Sequence, residues 1–262
     1  LFLSLVIFVN VKESAMDKML YIAASGAKQD LMATALRANN LANVQTTGFR
    51  AQLEQARSMP AYGAGLPTRV FAMTENPANN YESGPIQTTG RSLDVAIQGA
   101  GFIAVQDQQG DEAYTRAGNL QINQDGLLQD SKGHLIEGDN GPIFIPEAYQ
   151  SLTISQDGTI LMRPNGAPAT VQEEVGRIKL VKPDHQQIQR GEDGLFRQKN
   201  GEDAAADVTV QVVGGALEGS NVNAIDEMVQ MISLQRHYEI QVKLMKKADS
   251  MVTSANNMLR IL

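Results

Sequence analysis

The residues that could do chemistry are few and scattered. Gly99-Ala100-Gly101 opens like a dinucleotide fingerprint, in which glycines let backbone N–H groups approach a pyrophosphate at a helix N-terminus. The third glycine is missing, and Phe102 to Val105 reads as a strand where the fingerprint needs a helix. Asn123-Gln124-Asp125-Gly126 has the centre of a calcium loop, but the first ligand position would be Gln121 and the last Lys132, so the acidic ends are absent. A hairpin turn accounts better for Asp125-Gly126. His134, His185 and His237 are far apart, without the short spacing of metal ligands, and read as ordinary surface or partly buried residues. No serine lies in a Gly-x-Ser-x-Gly elbow. Glu173 and Glu174 are adjacent, so a strand would point them to opposite faces rather than pair them as acid and base. The expected catalytic, cofactor-binding and metal-ligating sets are all empty, and the chain reads as a non-enzyme.

Composition narrows the classes. The 262 residues include no cysteine, which removes disulfides, cysteine-ligated zinc and a thiol nucleophile. A net charge of -7 without a basic run argues against nucleic acid, where Lys and Arg must neutralise phosphate. Aromatics are 5% and tryptophan is absent, so burial must rest on Leu, Ile, Val, Met and Ala. The opening LFLSLVIFV is shorter than the roughly 20 apolar residues that span a bilayer, and it lacks the basic start of a signal peptide. Residues 1–15 are therefore expected to be a start-site extension ahead of Met16, with no direct membrane insertion.

Helical periodicity lies at the two ends. From Asn223 to Leu262 one stripe takes Met231, Tyr238, Met245, Val252 and Leu259. Its companion takes Leu234, Gln241, Ala248, Ala255 and Leu262, and Gln241 alone interrupts. This is the 3.5-residue repeat of a coiled-coil seam, which needs a partner helix. Asn223 is placed to cap the helix, with Asp226 and Glu227 in its first turn. Lys243, Lys246 and Lys247 fall off the seam on a solvated face. Met16 to Ala42 carries the matching stripe Leu20, Ala24, Ala27, Leu31, Ala38 and Leu41, with Thr34 in register. Its alanines admit a close partner, and Gly26 suggests close packing or a bend. The helix is expected to end near Asn43, and Gly48 suits a positive φ just beyond it. Met32, Leu36, Val229 and Ile232 are left to other subunits.

Between the helices, residues 51–89 read as an extended connector broken by Pro60, Gly63, Gly65, Pro67, Pro77 and Gly84, with one short apolar piece at Arg69 to Met73. Residues 90–213 read as all-β. Strands are expected at 94–98, 102–106, 119–123, 127–129, 143–145, 152–155, 159–162, 177–181 and 208–213. Asp125-Gly126, Asp157-Gly158 and Asp193-Gly194 supply turns. The expected fold class is α+β. Long N- and C-terminal helices (16–50 with its following turn, and 214–262) form a coiled-coil-like assembly domain around a central sandwich or partly open barrel.

Several stretches carry a specific resemblance. Ser25-Gly26, Ala38-Asn39-Asn40-Leu41-Ala42-Asn43 and Thr47-Gly48-Phe49-Arg50 resemble the N-terminal signature of bacterial flagellar rod and hook proteins. Leu93 to Phe102, Tyr114 to Asn119 and Leu217 to Asn223 resemble further motifs of the same axial family, in family order. Gly176 to Lys182, Gln189 to Arg197 and the short connector after Phe49 are more similar to its proximal-rod branch than to the distal rod or hook.

The resemblance implies a structural subunit of the basal-body rod. That rod crosses the periplasm, transmits motor torque and assembles from subunits exported through the flagellar type III apparatus. It implies self-association and contact with other proximal- and distal-rod proteins. The expected assembly interface is Leu20, Ala24, Ala27, Leu31, Ala38, Asn39, Asn40, Leu41, Asn43, Gly48, Phe49, Met231, Leu234, Tyr238, Met245, Ala248, Val252, Ala255, Leu259 and Leu262. The asparagine amides are expected to bond to neighbouring subunits, although helix-end chemistry also explains them. The alternatives are a distal-rod or hook protein, a secreted adhesin and a cell-wall hydrolase. The matched end helices disfavour an adhesin, and the missing acid or cysteine–histidine site disfavours a hydrolase.

Overall fold

The structure is a computed structural model that describes residues 2–60, 70–168 and 170–259. The chain divides into two compact units: 1–42 with 52–79 and 223–262, and 43–51 with 80–222. It is α+β, with an all-β central region and a long helix at each end. No helix among the described residues is long and apolar enough to cross a membrane.

In the first unit, α1 (Phe2–Ala42) packs on α2 (Ala224–Leu259). The helical backbone of α1 thus starts ahead of the expected Met16. The α2 stripe lies where its period puts it. Met231, Leu234, Tyr238, Gln241, Met245 and Val252 are half-buried and Ala248 is buried, while Lys243, Lys246 and Lys247 are exposed. Leu262 lies outside the described residues, as do the side chains of Ala255 and Leu259.

The α1 stripe needs a correction. Ala27 is buried and Leu41 half-buried, but Leu20, Ala24, Leu31 and Ala38 are exposed. The sheltered face is rotated toward Ala23, Gly26, Ala33, Arg37 and Asn40. Gly26 explains the rotation: a Cβ there would lie 3.1 Å from Gln241 Nε2, so the residue that interrupts one seam sits over the gap in the other. Close approach at a glycine set the facing positions, and counting only apolar residues missed it.

The expected connector is also different. β1 (Gln52–Pro60) and β2 (Val70–Asn79) pair antiparallel as a two-stranded ribbon belonging to the helical unit. The register shifts between Leu53 and Gln55, where Asn76 and Pro77 stand opposite as a bulge. Both ribbon strands are edges, so prolines cost no interior ladder bond and do not prevent pairing.

The second unit is built on β5 (Phe102–Gln106), preceded by β3 (Ile86–Thr88) and β4 (Val95–Gln98) and followed by β6 (Glu112–Thr115). β5 pairs antiparallel with β6, with 135–138 and with 180–181 in a nine-stranded sheet. Its continuous apolar run reflects burial on both faces. Ile103 and Val105 enter one core with Val95, Ile136, Ile160 and Val212, while Phe102 and Ala104 enter a second with Tyr114, Val181 and Phe196. Segments 149–154, 159–164 and 173–177 form a three-stranded sheet, β4 pairs with 211–214, and β3 pairs with 216–218.

The three Asp-Gly pairs sit in tight turns, closed by Gly126 N–H to Asn123 O, Gly158 N–H to Ser155 O and Gly194 N–H to Gly191 O at 3.0–3.2 Å. Segment 143–145 is not a strand and contributes one isolated bridge, at Phe144. Strands at 86–88, 112–115, 135–138, 188–190, 196–198 and 216–218 were not expected, because most are short and carry polar residues that mask the period.

Two carboxylates flank β5. Glu112 holds Lys179 Nζ at 2.5 Å, and Glu137 lies beside Glu112. Burial, and then its like-charged neighbour Glu112, raise Glu137 above the ordinary 4.5, with Lys179 opposing. A carboxyl raised in the folded state binds its proton more tightly there, so stability declines as pH rises from 4.5 through the raised value. Glu137→Gln should raise the urea midpoint at neutral pH and flatten its pH dependence above 4.5; an unchanged profile would contradict the assignment.

Candidate functional site

The motif stretches of the second unit converge on one buried side chain. Glu218 is 0% exposed at the end of segment 216–218, which pairs with β3. Its Oε1 accepts the Gly84 N–H at 2.8 Å, and its Oε2 accepts Arg116 Nη1 at 2.8 Å. Arg50 Nη2 approaches Oε1 at 2.7 Å as an ion pair, without the alignment of a hydrogen bond. Both arginines are themselves buried, at 1% and 4% exposure. Burial, and the nearby Arg50 charge, lower the Arg116 guanidinium below its ordinary value, and Glu218 acts against that.

Backbone contacts complete the junction. Arg116 Nη2 donates to Gly99 O, and Gly48 N–H donates to Glu218 O at 2.8 Å. Gly48 has φ +67, and a Cβ there would come within 2.3 Å of the Arg116 carbonyl carbon, so conformation and space both demand glycine. Phe49 is buried with Ala51 and Val222, and Arg190 lies over its ring at 4.4 Å while donating to Arg50 O at 3.1 Å. Asn221 accepts the Ala51 N–H at 2.7 Å and donates to Asn80 O and Glu82 O. Segments 47–50, 93–102, 114–119, 189–197 and 217–223 thus meet in one place.

In the helical unit the corresponding feature is a clamp on Asn40, which is 0% exposed. Its Oδ1 accepts the Gln52 N–H at 2.9 Å, and its Nδ2 donates to Gln52 O at 2.9 Å and Glu227 Oε1 at 3.1 Å. Arg37 Nη1 joins Glu227 at 3.3 Å. Asn223 caps α2 through Oδ1 to the Ile225 N–H at 3.1 Å.

The expected interface residues therefore divide. Asn40, Gly48 and Phe49 are buried in the chain's own packing, which corrects their expected role of touching neighbours directly. Asn40 in particular bonds internally, as the end of α1 must satisfy buried backbone at β1. Asn43 Oδ1 accepts Thr46 Oγ1 at 3.1 Å in the turn after the helix. Asn39, Leu20, Ala24, Leu31 and Ala38 are exposed. Glu218, Arg116, Arg190 and Arg37 were not singled out, although each lies in or next to a quoted stretch, and Glu227 was expected only as a first-turn acid. Nothing in their order along the chain shows that they meet.

The remaining chemistry-bearing residues have local structural roles. Asn123 Oδ1 accepts the N–H groups of Asp125 and Leu127 in its turn, at 2.9 and 2.8 Å. His134 Nδ1 lies 2.9 Å from Asp130 Oδ2, and His185 stacks on Tyr81 with centroids 4.2 Å apart. His237 lies near Asp30, whose carboxyl is raised by burial, with His237 opposing.

A long helix at each end of the chain, an all-β central region and a signature turn folded into a buried junction define an α+β subunit. The chain matches the family model for the flagellar hook protein FlgE/F/G D1 domain over residues 96–162 and that for the flagellar basal body rod FlgEFG protein C-terminal region over 213–258. It is 42% identical over 250 residues to the flagellar basal-body rod protein FlgF of Escherichia coli K12, covering 93% of this chain and 99% of that one. Identity to FlgF of Salmonella typhimurium LT2 is 40% with the same coverage. Identity to the rod protein FlgG of Borreliella burgdorferi is 32%, over 94% of this chain and 100% of that one. The chain belongs to the flagellar basal-body rod protein family, on its FlgF branch, and is a structural, non-enzymatic rod subunit of the flagellar basal body.

Removing one partner of a buried ion cluster leaves the others uncompensated, at a cost of about 3–5 kcal/mol. Glu218→Ala should lower the unfolding free energy of the β-rich unit by about that amount in urea titrations. Wild-type stability in the variant would deny the junction its central role.

Proposed function

We propose that the chain is a proximal-rod subunit, built into the drive shaft through α1 and α2. The observation that carries this is the large apolar surface the helical unit leaves open. Leu31 and Met32 on α1 are 54% and 51% exposed, and Ile225, Val229 and Ile232 on α2 are 68%, 60% and 52% exposed. Contiguous apolar faces of this kind mark protein contact. Head-to-tail use of one surface generates a helical assembly.

In this reading α2 uses its half-buried stripe, Met231 through Val252, as an intrachain coiled-coil-like seam; Ala255, Leu259 and Leu262 carry the same period in the sequence. Leu20, Ala24, Leu31, Ala38 and Asn39 join Met32, Val229 and Ile232 on surfaces that meet other copies and other rod proteins. Ala27, Leu41 and Ala248 keep the helices close enough to present those surfaces. Asn43 and the buried pair Gly48 and Phe49 fix the exit of the chain from α1. The subunit leaves the cell body through the flagellar type III apparatus, takes its place in the periplasmic rod and transmits torque. Identities of 42% and 40% to two FlgF proteins, against 32% to the FlgG of Borreliella burgdorferi, support the proximal over the distal position.

Deleting Ala248–Leu262 should leave the β-rich unit folded and abolish rod incorporation, read as loss of motility and of rod-bound subunit; normal swimming with an intact rod refutes the reading. Substitutions separate burial from mere position on a helix. Ala27→Asp places a charge at a buried site and should block assembly, whereas Lys246→Ala at an exposed one should not. Equal motility of the two strains would remove the assignment.

A further inference from the structure

The junction in the β-rich unit opens onto a pocket of about 270 Å³, lined among others by Thr46, Gly48, Arg50, Arg116, Lys132 and Arg190. Four cations stand on its wall. Asp130 is the carboxylate among the lining residues, and its oxygens already serve the N–H groups of Lys132 and His134 and the His134 ring. Glu218, behind the wall, is shared between Arg50 and Arg116. Asp193, next to the pocket, is engaged by Arg197 Nη2 at 2.6 Å. Arg190 has no carboxylate within ion-pair distance among the described residues; burial lowers its guanidinium below the ordinary value, with the more distant Asp193 opposing.

Arg50 Nη1 is buried and has no hydrogen-bond partner among the described residues, in a side chain 1% exposed. A buried guanidinium with unused donors is costly unless an acceptor arrives. The surplus is thus positive and rich in donors, which suits a planar oxyanion. The chain as a whole carries the opposite sign, 29 acidic against 22 basic residues. A second copy presents carboxylates to this pocket more readily than cations. Phe49, Leu195 and Phe196 add apolar wall suited to the methylenes of a side chain.

We propose that this pocket binds a carboxylate, carried by an acidic side chain of a neighbouring copy in the rod. The identity of the donor rests on the assembly reading above; the carboxylate site does not. The test titrates the full-length ¹⁵N-labelled chain with N-acetylglutamate methylamide, its glutamine analogue and inorganic phosphate. Backbone amides of 46–48 and 194–196 should shift with the glutamate probe and not with the glutamine probe. Arg190→Gln should weaken binding on the order of tenfold, as expected for losing a charged hydrogen bond. Lys132→Gln, at an exposed position outside the buried junction, should weaken it several-fold with the fold intact, and should lower rod incorporation.

No shift, or equal shifts from both amino-acid probes, overturns the carboxylate site. Phosphate saturating the same amides at lower concentration than glutamate overturns the side-chain donor in favour of a free oxyanion. Normal rod incorporation of Lys132→Gln, despite weakened glutamate binding, overturns the neighbouring copy as donor. If glutamate fails to bind while Ala27→Asp still blocks assembly, the pocket proposal falls and the assembly reading stands.

Discussion

The β-rich unit depends on the carboxylate of Glu218. It takes two arginines and one backbone N–H out of water at a single point, and each comes from a different part of the chain. Hydrophobic contact is tolerant of small shifts, but a buried charge must find its partner or the fold is penalised by several kcal/mol. Segments 47–50, 84, 114–119 and 216–218 are therefore held in register by an interaction with little geometric slack. The apolar cores around β5 supply most of the burial. The junction specifies which loops may close over them.

The helical unit is organised on a different principle. Its polar clamp, Asn40 with Gln52 and Glu227, joins the end of α1, the start of β1 and the first turn of α2. Beyond that clamp, alanine and glycine face the partner helix on α1, so the pair buries little apolar area for its length. On α1 the large side chains Leu20, Tyr21, Leu31 and Met32 are exposed instead. A pair in which small α1 residues are sheltered, the α2 stripe is only half-buried and further large apolar side chains of both helices are displayed is incomplete as a core.

The end of α1, the start of α2, the β5 run and the three Asp-Gly turns were legible because each rests on local chemistry: a cap, an unbroken apolar strand, a tight turn. The α2 stripe was legible because its period repeats along the helix. The α1 stripe was misplaced because the facing position was a glycine, which no count of apolar residues selects. The β1–β2 ribbon was hidden by prolines that are harmless on edge strands. The Glu218 junction was legible only as separate motifs, since ion pairing between distant residues leaves no periodic trace. Asn40 shows the same limit from the other side: its residue type suits a helix end, an intersubunit bond and an internal clamp equally, and only the geometry selects the clamp.

The division of labour follows from these two chemistries. A subunit that must fold before it meets its neighbours needs one part whose polar groups are satisfied internally, and the β-rich unit largely has this, with Asp94 Oδ1, Glu112 Oε1, Asn119 Oδ1 and guanidinium nitrogens of Arg50 and Arg116 as the exceptions among the described residues. It also needs surfaces that stay unsatisfied until assembly, for which we propose the apolar area of the helices and the positive charge of the pocket. Apolar faces attract without fixing orientation, because the hydrophobic effect is not directional. A donor-lined pocket accepts one group in a narrow range of poses. On the reading proposed above, affinity would come from the helices and angular register from the pocket, the pairing of properties that a shaft under torque requires.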